Sequence, residues 1–333
     1  MSNKNENLSC RLGTVGGQAV IEGVMMKSKD LVALSVRATD GNIQTEVKPF
    51  KSIRAKHEIL NLPIIRGVVN FVETMILSFN TLSRSADMLG IEEEETKFEK
   101  WLTKTFGKKV TAVASAVGMV LGLILSVVLF IYLPTQLAEF IKMYLTDNRL
   151  VLSVSEGLIK ILIFVGYIVF CALIPDMKRV FQYHGAEHKS IFCHEAGLEL
   201  TVENVKKQSR FHPRCGTSFL FVMMFLGIIT SALIIDFPVY ARVPLKILFL
   251  PVVVGVGFEF IKFAGTHNNI FVKLVSAPGL LIQRLTTKEP DDMQIEVAIA
   301  SLKAALPDIY PQNADEENAN ENSEEQNNNS EQI

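Results

Sequence analysis

The sequence predicts a mainly α-helical polytopic membrane protein of about four transmembrane helices, with a small N-terminal cytoplasmic β-rich segment. Two observations carry this. Hydrophobic residues make up 49% of the 333 and are gathered into long uncharged runs, not spread as in a soluble domain. Ahead of the first run lie short alternating segments broken by glycines and by an Asp40-Gly41 turn signal.

From Val110 to Ala138 the only ionisable side chain is Tyr132, and Gly216 to Ile235 carries no charge. Crossing a hydrocarbon core of about 30 Å takes about 20 helical residues. Val151 to Pro175, with Glu156 and Lys160, and Leu245 to Ile261, with Lys246 and Glu259, supply the other two spans. A fifth membrane-embedded piece at Ile64 to Leu82 is the competing arrangement. The polar start MSNKNENLSC has no apolar run, so neither a cleaved signal peptide nor lipidation at Cys10 is expected.

Basic residues orient the spans. Lysine and arginine number five in 97–109, seven in 176–215 and five from Lys262 onward, against two in each intervening connection. Both termini are therefore expected in the cytoplasm, with the protein in an inner membrane. The expected partners are the lipid bilayer and its anionic lipids, and nothing argues for nucleic acid. The cysteines should be reduced.

Along the chain, 1–11 reads as a disordered N-terminus, 12–60 as the cytoplasmic β-rich segment and 63–109 as interfacial or amphipathic helices. The four-helix membrane domain spans 110–264 and includes a cytoplasmic His/Cys loop at 176–215. Interfacial and C-terminal amphipathic helices fill 265–310, with a cap at Glu289-Pro290-Asp291. Residues 311–333, acidic and with almost nothing apolar, read as a disordered tail. The Gly16-Gly17 pair lacks the following GK[ST] of a phosphate loop, so close backbone packing is its better reading. Glu22 reads as a residue on the exposed face of a strand.

The chemistry concentrates in YHGAEHKSIFCHEAG, residues 183–197. His184, Glu187 and His188 fit H-x-x-E-H. On a helix this puts two imidazoles on one face to share a metal ion, with a glutamate beside them to act as a base. Cys193 follows, and RFHPRCGTSF brings His212 and Cys215 to the start of the third span. Glu259, near the exit of the fourth span, lies on the same membrane face in any four-crossing topology. An acid at membrane depth is a functional candidate. The expected ligands are thus His184, His188, His212, Cys215, Glu259 and Cys193, around a divalent metal, zinc by donor softness. Glu187 is the expected catalytic base, and Arg210 and Arg214 the groups facing developing negative charge. The blander expectations are an exposed His194, a loop charge at Glu195, a surface His57, a helix-capping His267, cysteines as small buried hydrophobes, and an ion pair for Glu259 with Lys262 or Arg210.

GGQAVIEGVMMKS, YHGAEHKSIFCHEAGLELTVENV, RFHPRCGTSFLF and APGLLIQRLTTKEPDDMQIEVAI together resemble the YqhQ-like family of bacterial membrane proteins, domain of unknown function 1385, over residues 10–306. The resemblance implies a bacterial membrane location and a metal-dependent enzyme, and it supplies no reaction. His194 stands where the family pattern leads us to expect tyrosine. Three functions remain open: a metal-dependent hydrolase at the cytoplasmic membrane boundary, a scaffold or assembly factor with a structural metal site, and a transporter. Only four clear spans and no internal repeat weigh against the last.

Overall fold

The computed structural model describes Arg11 and residues 13–90, 110–212, 215–266 and 270–311. The expectations for Arg214, for His267 and for both chain ends lie outside these residues.

Four strands, β1 (Gly16–Val20), β2 (Gly23–Lys27), β3 (Leu31–Arg37) and β4 (Ile43–Pro49), form an antiparallel meander in sequence order. The run GGQAVIEGVMMK forms two of these strands. Val20 pairs with Gly23, so Ile21 and Glu22 form the two-residue turn. Glu22 takes φ +49, and its carboxylate accepts hydrogen bonds from Arg179 and from the Tyr183 hydroxyl (3.2 Å). It is therefore a turn residue tied to the helical domain.

Alternation along the strands sends side chains to both sheet faces. Val24, Met26 and Ala33 pack on one side with residues of α5 (Pro175–Glu195) and α10 (Asp292–Ala305). Met25, Val32 and Leu34 pack on the other with Leu89 and, partly, Leu77 of α1 (Ile65–Met88). The expected cap of α10 is present: Asp291 accepts from Gln294 N–H while the Gln294 side chain accepts from Asp291 N–H, a closed capping box.

Among the described residues, four stretches are long and apolar enough to cross a membrane: Val117–Tyr144, Arg149–Leu173, Gly216–Leu233 and Val239–Phe263. They fit a multi-pass membrane protein. The first combines α2 (Val110–Val127), a π-helical turn and α3 (Leu133–Tyr144). The others are α4 (Arg149–Leu173), α7 (Gly216–Leu233) and α8 (Val239–Thr266). Exposed leucines such as Leu123, Leu162 and Leu248 give these helices apolar outer surfaces.

All four spans meet in a buried polar cluster at the ends remote from the sheet. Lys246 Nζ donates to Glu156 and to Thr135 Oγ1 (2.7 Å), and Ser231 Oγ donates to Glu156 Oε1 (3.1 Å). Arg242 pairs with Glu139 at 2.9 Å. Glu156 and Lys246, one charge from each of the two less clean spans, are thereby paired inside the bundle.

The region 176–215 is not a loop. It is mainly α5, a 21-residue helix, followed by the short α6 (Val202–Lys206). A connection between two spans reads from sequence as a loop. Here it supplies a buried helix to the core of the sheet-bearing domain.

Candidate metal centre

Helical spacing sets His184 and His188 one turn apart on α5, with ring centroids 4.4 Å from each other. Each ring is oriented through its other nitrogen. His184 Nδ1 donates to the Thr286 carbonyl at 2.9 Å, and His188 Nδ1 donates to the Arg210 carbonyl at 2.5 Å. A carbonyl can only accept, so each Nδ1 carries the proton and each Nε2 keeps its lone pair. Cys215 caps the start of α7 and brings Sγ to 3.3 Å from His184 Nε2. One donor atom each from His184, His188 and Cys215 lie within 4.8 Å of one another.

Glu187 stands beside this group, with Oε2 3.8 Å from His184 Nε2. Burial pushes its carboxyl up to about 7, against the opposing pull of the His184 ring and of a hydrogen bond from the Gly17 amide. His188 and Glu187 are buried, whereas His184 and Cys215 are only half-buried, so the donors are approached from their side.

The remaining candidate residues are placed elsewhere. Cys193 Sγ contacts the Glu199 carbonyl at 3.4 Å within the core between sheet and α10, where burial raises its thiol to about 11. Glu259 accepts a bidentate bond from Arg66 of α1, with Nε to Oε1 at 2.5 Å, instead of pairing with Lys262 or Arg210. The His212 ring lies 5.7 Å from that of His188, but its Nε2 faces Glu195 Oε2 at 3.5 Å. The Arg210 guanidinium lies 3.8 Å from Glu289 and over the Phe211 ring, so its contribution to the centre is its carbonyl.

Two bland expectations are corrected. His194 is fully buried, between Thr14 Oγ1 (3.2 Å) and the Tyr310 hydroxyl (2.9 Å), and burial lowers its pKa. Glu195 is the buried last residue of α5 and accepts from the Gly13 amide at 3.1 Å. Both follow from α5 being covered on several sides. His57 is exposed, as expected.

A family model described as "Protein of unknown function (DUF1385)" matches residues 62–308. The chain belongs to this family. The "Uncharacterized protein YqhQ" of Bacillus subtilis (strain 168) is 37% identical to this DUF1385 chain over 293 residues, 87% of this chain and 92% of that protein. No solved structure matches it significantly.

Four residues that build the centre of this DUF1385 protein were not singled out for their roles in it by the sequence. The Thr286 and Arg210 carbonyls aim the two imidazoles. Gly185 lets the chain after α9 (Ile270–Thr286) cross α5, since a Cβ there would stand 2.1 Å from the Lys288 carbonyl oxygen. Gln283 clamps the other strand of the site, exchanging two 2.8 Å bonds with the His212 backbone. Of these, only the glycine inside the H-G-A-E-H run was open to notice.

Proposed function

We propose that this protein is a hydrolase of the bacterial inner membrane, with both termini in the cytoplasm. It works with one divalent metal ion, zinc by donor type, held by His184, His188 and Cys215. The observation supporting it is the convergence of one donor atom each from two imidazoles and one thiol within 4.8 Å, each imidazole braced through Nδ1 by a carbonyl. Such a set of soft and borderline donors fits zinc. When bound, the ion would supply Lewis acidity toward an oxygen ligand.

The chain's own part falls to Glu187. Burial raises its pKa to about 7 in the absence of a metal, and a bound cation would pull it back toward the ionised form that can take a proton. Arg210 and Thr286 hold the imidazoles in one tautomer and orientation. The substrate is a peptide bond or a lipid-linked ester reaching the membrane boundary, where α7 begins.

A second reading, a structural metal site in a scaffold, is favoured by one feature. Glu187 Oε2 lies 3.8 Å from His184 Nε2, so a small side-chain movement would bring it in as a fourth ligand. Metal content of the purified full chain and of His188→Ala tests the site, and Glu187→Gln separates the readings. The hydrolase reading expects metal in the wild type and in Glu187→Gln, and loss in His188→Ala. Loss in Glu187→Gln as well favours the closed structural site, and equal, negligible metal in the wild type and His188→Ala overturns both.

A further inference from the structure

The start of α1 packs against the middle of α8, not its end. A Cβ on Gly67 would stand 2.7 Å from Phe258 Cβ and 2.9 Å from Gly255 Cα, and one on Gly255 would stand 2.3 Å from Ile64 Cγ2. The apolar part of α8 closes at Lys262 on the face that carries the sheet. Gly255, seven residues earlier, therefore lies roughly 10 Å inside it. Two turns further along α1, Phe71 meets Phe219 with ring centroids 6.1 Å apart. Phe219 sits near the start of α7, only about 5 Å into its span. The two contacts agree: α1 begins deep and rises toward the sheet.

The segment before α1 descends to meet it. Ser52 Oγ and the Ile53 amide donate to the buried Glu73 carboxylate at 3.0 and 2.5 Å, which fixes the descending limb beside the shallow part of α1. At the bottom, Ile64 takes φ +70, a backbone conformation that a β-branched residue adopts only under constraint. Ile59, Leu62, Ile65, Val72, Met75 and Phe79 are all large apolar side chains left exposed among the described residues. Lys51, Arg54 and Lys56 stand on the descending limb, suited to headgroup phosphates.

We propose that residues 53–82 form a re-entrant hairpin inserted into the leaflet on the sheet-bearing face, its apolar stripe covered by lipid acyl chains. Arg66 and Glu259 belong to the same device. A lone carboxylate inside α8 is costly in a bilayer, and the hairpin delivers the guanidinium that pairs it. The inference stands on α1, α7 and α8 and does not depend on the metal centre.

Depth-dependent fluorescence quenching tests it. Trp101 is the sole tryptophan, so Leu62→Trp and Phe79→Trp are made in a Trp101→Phe full chain and reconstituted into phosphatidylcholine vesicles. Lipids brominated at different acyl positions and aqueous acrylamide serve as quenchers. The expected result is strongest quenching of Leu62→Trp by bromine well down the chains, and of Phe79→Trp by bromine near the headgroups. Ile59→Trp repeats the deep reading if Leu62→Trp fails to reconstitute. Equal shallow depth at both ends, or quenching of the deep positions by acrylamide and not by lipid, overturns the hairpin.

Discussion

Gly17 in β1 lies so close to Glu187 in α5 that a Cβ on it would stand 2.7 Å from Glu187 Cγ and 2.9 Å from the Met25 carbonyl oxygen. The N-terminal sheet thereby forms one wall of the candidate centre and donates an amide to its buried carboxylate. Gly17→Ala must move either Glu187 or a strand. A loss of about 1–3 kcal/mol in stability is expected, as for other overpacked sites. Thermal unfolding in detergent checks it, and Gly16→Ala, which meets open space, is the matched control.

The same carboxylate sets a pH dependence. In metal-stripped protein, Glu187 keeps its proton up to about pH 7, while the unfolded chain releases it near the ordinary carboxylate value of 4.5. Between these values the folded state binds more protons, so stability falls as pH rises through the window and levels off above it. The full effect is at most roughly 3 kcal/mol. Unfolding midpoints of Glu187→Gln, compared with wild type from pH 4.5 to 7.5, should lack this component.

Inside the membrane domain, Lys246 neutralises a Glu156 that is only 1% exposed. Lys246→Met strands the carboxylate and is expected to destabilise by about 3–5 kcal/mol. The double change Lys246→Met with Glu156→Met removes both charges and should recover much of that loss. A double-mutant cycle on detergent unfolding midpoints measures the coupling.

Two of the described thiols should separate by reactivity. Cys193 is buried with its pKa raised to about 11, so a maleimide at pH 7.5 should leave it unmodified in the folded protein. Cys215 is half-buried at the open side of the centre and should be modified, and added zinc should protect it. Peptide mass spectrometry after labelling reads both sites.

The spans and the sheet were legible because hydropathy runs and alternation are local properties of the chain. H-x-x-E-H was legible for the same reason, since one helical turn is short. What escaped was long-range. The partner of Glu259 is Arg66, nearly two hundred positions away, and both imidazoles are aimed by backbone carbonyls, which any residue type supplies. The 176–215 segment reads as a loop because it links two spans, while its burial depends on a sheet and a helix from opposite ends of the sequence. Cys193 looked like a ligand beside the histidines, yet five residues beyond His188 on α5 it turns to the sheet.

Cobalt binding to the metal-stripped full chain probes the centre most directly, because Co²⁺ reports its ligands in visible absorption. The expected spectrum is that of a low-coordinate cobalt site with a thiolate-to-metal charge-transfer band. His188→Ala should abolish binding, and Cys215→Ser should remove the charge-transfer band. No cobalt binding, or a spectrum indifferent to both substitutions, would contradict the centre.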